Sequence, residues 1–178
     1  GRYFGVAPRM VHVEALTPDA STRTYYRIYP KRGSTESLIV SLYPAPFNPK
    51  DNSFLDVTRL FTKANLPVPK VIDAKGTDGI ILQEDLGDCS LAQWLEQHAE
   101  DSTASHEMIE RAIQLIARIQ AASELAVSTR SVAGKLVFDA DKLGWELKYF
   151  CDHFFRSFLH REFTESEEQA IKLDLTDI

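Results

Sequence analysis

Cysteine is scarce in this chain: Cys89 and Cys151 are the only two among 178 residues. Two thiols without a spacing pattern build neither a disulfide framework nor a thiolate zinc site, and they suit a reducing compartment. Long apolar runs are missing too. No stretch approaches the roughly 18 apolar residues of a membrane span, and the opening Gly1 to Met10, with Arg2 and Arg9, has no signal-peptide core. The expectation is a cytoplasmic protein with no membrane partner. Positive charge is in deficit, with 20 basic against 26 acidic residues and a formal net charge of -6. That balance repels nucleic acid, which is excluded as an expected partner. Repeats and low-complexity segments are absent. What is present is 44% hydrophobic residues, enough for a real core in one domain or two small lobes.

The apolar residues change rhythm along the chain. Val11 to Leu16, Thr24 to Tyr29 and Leu38 to Tyr43 alternate as half-buried strands do, separated by turn chemistry at Thr17-Pro18-Asp19 and Lys31-Arg32-Gly33-Ser34. Pro44, Pro46 and Pro49 end the third run; Phe54, Val57, Leu60, Phe61 and Ala64 then recur at helical spacing. Leu66-Pro67-Val68-Pro69 breaks that helix, and Lys70 to Ala74 and Gly79 to Leu82 read as two more strands. After Gly87 the pattern is helical: a capping box at Ser90 and Gln93, a long helix with Ile109, Ile113, Ile116 and Ile119 on an inner face, an aromatic stripe from Leu143 to Phe158, and a second capping box at Thr164 and Glu167. Both stripes are expected to be core.

Five antiparallel strands with a helix after the third, a short acidic connector and then helices make the plan of the kinase-like fold. The run Asp19-Ala20-Ser21-Thr22-Arg23-Thr24-Tyr25-Tyr26-Arg27 resembles the first hairpin of the aminoglycoside phosphotransferase family, in the bacterial branch that phosphorylates N-acetylmuramate or N-acetylglucosamine. Leu38-Ile39-Val40 is similar to that branch's third strand, Ala64 to Pro69 to the turn after its helix, and Ile81-Leu82-Gln83-Glu84-Asp85-Leu86-Gly87-Asp88 to its hinge between lobes. The resemblance implies an α+β, protein-kinase-like fold: a nucleotide-binding N-lobe over residues 1–84, a hinge at 85–88, and an incomplete helical C-lobe over 89–178. It further implies ATP and magnesium as cofactors, and a nucleotide and a small sugar as binding partners.

A triphosphate needs small side chains and free N–H groups near it, because bulk prevents close approach. The turn Asp19-Ala20-Ser21-Thr22 offers these with two hydroxyls, Ser21 and Thr22 being nearest the phosphates in the family reading and Arg23 beside them. Taken locally, the same residues also suit a polar hairpin turn without a ligand. At the hinge the resemblance implies that main-chain groups of Glu84 and Leu86 meet the adenine edge, while the acidic side chains suit a solvated linker equally well. Many kinases carry a lysine on the third strand; the matching position here is Ser41, as tends to be so in the sugar-kinase branch. Arg23, Arg27 or a metal ion are the candidates to replace that cation. Asp56, in the helix that normally carries the lysine's partner, is expected on a solvated face.

The catalytic Asp, its following Asn and the magnesium-binding Asp of the fold have no match. His160-Arg161-Glu162-Phe163 echoes a catalytic loop, but Glu replaces Asp and Glu165, Ser166 and Glu167 occupy the region where Asn is required. Cys151 and His153 lie two apart and share no helix face, which excludes them as a metal pair. No catalytic or metal residue is therefore assigned, and the chain reads as part of a longer enzyme. Two other functions fit the same residues: a catalytically silent kinase-like binding module, and an antibiotic kinase acting on aminoglycosides.

Overall fold

The computed structural model describes residues 2–17 and 21–176. Five strands form one antiparallel sheet: β1 (His12–Ala15), β2 (Thr24–Tyr29), β3 (Leu38–Leu42), β4 (Val71–Lys75) and β5 (Ile80–Glu84), in the order β1-β2-β3-β5-β4. Strand β3 is central. Its Leu38, Ile39 and Ser41 are all buried, so both faces of this strand are covered, which explains its near-continuous apolar run. The register aligns Tyr25 with Ser41 and Ile81, and Arg27 with Ile39 and Gln83. Directly opposed residues share a face, so these six side chains lie on one side of the sheet.

Helix α1 (Ser53–Lys63) crosses between β3 and β4. Buried Asn52 caps it by accepting the Leu55 N–H. At its other end Asn65 takes a left-handed φ of 53°, and the Leu66 N–H closes on the Phe61 carbonyl, the geometry that stops a helix sharply. Leu55, Leu60 and Leu66 are buried, anchoring α1 and its exit turn. Gly76 in the β4–β5 turn is required by space: a Cβ there would stand 2.1 Å from the Phe47 carbonyl oxygen.

Beyond β5 the chain is helical: α2 (Leu91–Gln97), α3 (Ser102–Ala121), α4 (Ser123–Ser128), α5 (Ala140–Phe150) continuing into a π-helical segment (Cys151–Phe158), and α6 (Glu165–Thr176). Both predicted capping boxes form, Ser90 with Gln93 and Thr164 with Glu167. The chain divides into two compact units, Gly1–Lys135 and Leu136–Ile178.

The two helical stripes expected as core are largely open. Ile113 of α3 is 60% exposed, and Ile109, Ile116 and Ile119 are exposed beside it. In the second unit Trp145, Phe150, Phe154 and Phe158 are exposed as well; Phe150, Phe154 and Phe158 stack on one another along the helix. Helical periodicity identifies an apolar face but not whether another element covers it.

Candidate functional site

At the start of β2, the Ser21 hydroxyl accepts from both the main-chain N–H and the side-chain Nε of Arg23, at 3.2 and 3.1 Å. The Arg23 guanidinium lies over the rings of Tyr25 and Tyr43, 5.6 and 5.5 Å from their centroids, with Phe54 of α1 close by at 6.0 Å. Its Nη1 reaches the Tyr43 hydroxyl at 3.4 Å. Aromatic faces hold a guanidinium without neutralising it, and among the described residues Arg23 has no carboxylate partner. Thr22 is exposed next to it. Asp19 and Ala20, the other turn residues of interest, lie outside the described residues.

Ser41, in the third-strand position, is 2% exposed and flanked in register by Tyr25 and Ile81. The same sheet face carries Gln83, whose side-chain oxygen is buried and has no hydrogen-bond partner among the described residues. An acceptor left so costs about 1–3 kcal/mol, and a ligand N–H would relieve it. Sequence reading missed Gln83; the available signal was an amide at the end of the apolar run Ile80-Ile81-Leu82.

Immediately after Gln83 the connector is fixed in place. The main-chain N–H of Glu84 donates to the Lys70 carbonyl, and the Glu84 carboxylate receives the Lys70 N–H. Arg27 then reaches across from β2 and holds Asp85 and Asp88 together, with Nε to Asp85 Oδ2 at 2.5 Å and Nη1 to Asp88 Oδ2 at 2.8 Å. The Ser37 hydroxyl and the Gly87 N–H also donate to Asp85. Burial alone would raise the Asp85 pKa, but the hydrogen bonds from Arg27, Ser37 and Gly87 prevail and hold it below the usual carboxylate range. Arg27 is raised above its ordinary value by Asp88 and Asp85. Arg27 is thus committed to the connector, which leaves Arg23 as the cation nearest the hairpin. Leu86 is exposed, and its main chain makes no hydrogen bond among the described residues. The Glu84 N–H is engaged with Lys70, two residues before the exposed Leu86.

Asp56 corrects the expectation of a solvated helix residue. Its side chain is 27% exposed, and Oδ2 accepts from the Ser131 hydroxyl at 2.6 Å and the Val132 N–H at 2.8 Å. These two donors, the Ser131 hydroxyl first, lower its pKa. A carboxylate on α1 thereby caps the short 3-10 turn Val132–Gly134 that follows α4, a contact between residues 75 apart in sequence that no local pattern announces.

In the second unit, His160 (φ 51°) turns the chain toward α6. Arg161 pairs with Glu167 of the α6 capping box and packs on Phe163. The His-Arg-Glu-Phe stretch is thereby tied into a helix start. Among the described residues no group of three or more His, Cys, Asp or Glu side chains forms a potential metal site. No helix among them is long and apolar enough to cross a membrane.

The profile of the phosphotransferase enzyme family matches residues 12–168, from β1 into α6. The chain belongs to that family. A comparison with curated proteins found no match. Membership of the phosphotransferase enzyme family makes this a chain of the small-molecule phosphotransferase type, and the α+β architecture with its five-stranded antiparallel sheet is consistent with a kinase-like domain of that family. Such phosphotransferases generally use ATP and magnesium. Of the residues singled out by sequence, the structure brings Ser21 and Arg23 into direct contact, and Glu84 ends β5 with Leu86 two residues on in the connector.

Proposed function

We propose that this chain is the nucleotide-binding part of a small-molecule kinase that transfers the terminal phosphate of ATP to a hydroxyl of an amino sugar, such as N-acetylmuramate or N-acetylglucosamine. The observation that carries the reading is Arg23: a guanidinium fixed by Ser21 and three aromatic rings, with no carboxylate neutralising it among the described residues. Such a cation suits the phosphates of a nucleotide lying under the hairpin, beside Asp19, Ala20, Ser21 and Thr22. From Arg23, just before β2, to Arg27 within it is four residue steps, about 14 Å at ~3.4 Å each, which gives an extended nucleotide room between the hairpin and the connector. The adenine edge then meets the Glu84 carbonyl and the Leu86 N–H, and the orphan oxygen of Gln83 is available to an amino group.

In this reading residues 1–84 act as the nucleotide lobe, 85–88 as the hinge and 89–178 as the beginning of the helical lobe, in the cytoplasm. The catalytic Asp and the magnesium ligands are assigned to residues outside this chain. Magnesium bound there would neutralise charge on the phosphates; this chain's own residues bind and orient the nucleotide.

The test measures acceptor-dependent ADP formation by the complete gene product with N-acetylmuramate, N-acetylglucosamine and an aminoglycoside in turn. Turnover with either N-acetylated sugar supports the proposal. Turnover confined to the aminoglycoside makes it an antibiotic kinase, and ATP binding without turnover on any acceptor makes it a silent binding module; both overturn the assigned acceptor.

A further inference from the structure

The C-terminal half of α1, its exit turn and α3 enclose an open groove of about 1090 Å³. Its walls carry Arg59, Lys63, Lys70 and Arg118, and none of the lining residues is acidic. In a chain with 26 acidic and 20 basic residues, a concave surface whose charged lining residues are all cations runs against composition. Lys63 has an ordinary role in the last turn of α1, where a cation offsets the helix dipole. Arg118 stands likewise in the last turn of α3, whereas Arg59 and Lys70 lie outside any last helical turn.

Arg118 donates through Nη2 to the Asn65 carbonyl, a neutral acceptor that orients the guanidinium and leaves its charge intact. Among the described residues Lys63, Lys70 and Arg118 have no ion pair. Arg59 stands 3.7 Å from Asp56, whose other oxygen is taken by Ser131 and Val132. Of the four cations only Arg59 has a carboxylate within 4 Å among the described residues, and a multiply charged anion in the groove would supply compensation to the others. Two planar guanidinium forks suit phosphate oxygens in particular. The groove is also lined by Leu66 and the Pro67-Val68 turn, an apolar stretch stiffened by proline that suits the carbon skeleton of an organic phosphate.

We propose that this groove binds a phosphate-bearing small anion, using Arg59, Lys70 and Arg118 as its principal contacts. The inference stands apart from the nucleotide reading, since it uses neither the hairpin nor the exposed connector residues.

The experiment is an amide NMR titration of the 178-residue chain without magnesium, using inorganic pyrophosphate and, separately, fructose 1,6-bisphosphate. Saturable shifts are expected around Thr62 to Val71 and Arg118. A Lys70→Gln/Arg118→Gln variant should weaken the binding about tenfold or more, as expected when charge-assisted hydrogen bonds are lost. Should that variant fail to fold, Arg59→Gln/Lys70→Gln gives the same reading without touching the Asn65 contact. Tighter binding of the bisphosphate assigns the site to an organic ester, and tighter binding of pyrophosphate assigns it to an inorganic anion; either supports the shared chemistry. Absence of shifts at about 10 mM, where a Kd near 1 mM is already saturated, overturns the proposal, as do shifts confined to the 21–23 hairpin or unchanged affinity in the folded variants.

Discussion

Arg27 grips Asp85 with two nitrogens on two oxygens, Nε to Oδ2 at 2.5 Å and Nη2 to Oδ1 at 3.1 Å, joining β2 to the connector across 58 residues of sequence. Bidentate geometry of this kind fixes orientation as well as distance. Asp85 is 6% exposed in its side chain and Arg27 11%, so the pair is shielded from the salt screening that weakens surface pairs. Arg27→Ala should therefore lower unfolding stability by about 2 kcal/mol, mostly by removing the charged donor from a carboxylate that then keeps only the Ser37 hydroxyl and the Gly87 N–H. Urea denaturation monitored by circular dichroism checks this. A change within experimental scatter would mean the latch is not structural.

Acid sensitivity follows from the depressed carboxylates, of which Asp85 and Asp56 join distant parts of the chain. The folded pKa values of Asp85 and Asp56 lie below their ordinary values, so each contributes stability that is complete above the unfolded pKa of about 3.9 and is lost as pH falls through the folded value. Asp56→Asn and Asp85→Asn should each be less stable than the wild type at pH 7, and the gap should narrow steadily below about pH 4. Denaturation midpoints measured from pH 7 down to pH 3 decide it. A gap independent of pH would show that the charged forms are not what the hydrogen bonds hold.

Gly76 tests the turn that brings β4 back onto β5. A Cβ at this position would meet the Phe47 carbonyl oxygen at 2.1 Å and Pro49 Cδ at 2.9 Å, and the main chain cannot give way as a flexible side chain does. Gly76→Ala is expected to cost about 2 kcal/mol, in the range of overpacked interiors. Thermal unfolding measures it, and an unshifted midpoint would contradict the close approach.

Gln83 separates stability from binding. Its side-chain oxygen is buried without a partner among the described residues, so Gln83→Leu, of similar size, removes an unsatisfied group and should leave the ligand-free chain equally stable or raise its stability by about 1 kcal/mol. ATP affinity should fall in the same variant. Loss of stability together with unchanged affinity would argue that the amide has a structural partner and no ligand role.

The sequence conveyed the sheet well and the helical region only in outline. The run read as a strand, Thr24 to Tyr29, has the bounds of β2, although Tyr25 to Tyr29 are all half-buried and the strand shows no clean alternation of covered and open faces. The capping boxes at Ser90 and Thr164 were equally readable, since each is a contact within four residues. The contacts that organise the candidate site were not. Arg27 with Asp85, Asp56 with Ser131, and Arg118 with Asn65 are separated by 58, 75 and 53 residues, and nothing in local spacing pairs them. The π-helical segment at Cys151–Phe158 and the uncovered isoleucines of α3 were hidden for a related reason: periodicity carries no record of what packs on a face.

The central claim is that the hairpin at Ser21 and Arg23 covers nucleotide phosphates. Calorimetric titration of the chain with ATP and magnesium tests it most directly, alongside Ser21→Trp, which fills the turn, and Arg23→Gln, which removes its cation. The account predicts saturable binding to the wild type, abolished by Ser21→Trp and weakened about tenfold by Arg23→Gln, the loss of one charge-assisted contact. Wild-type affinity in both folded variants, or no binding at millimolar nucleotide, would contradict it.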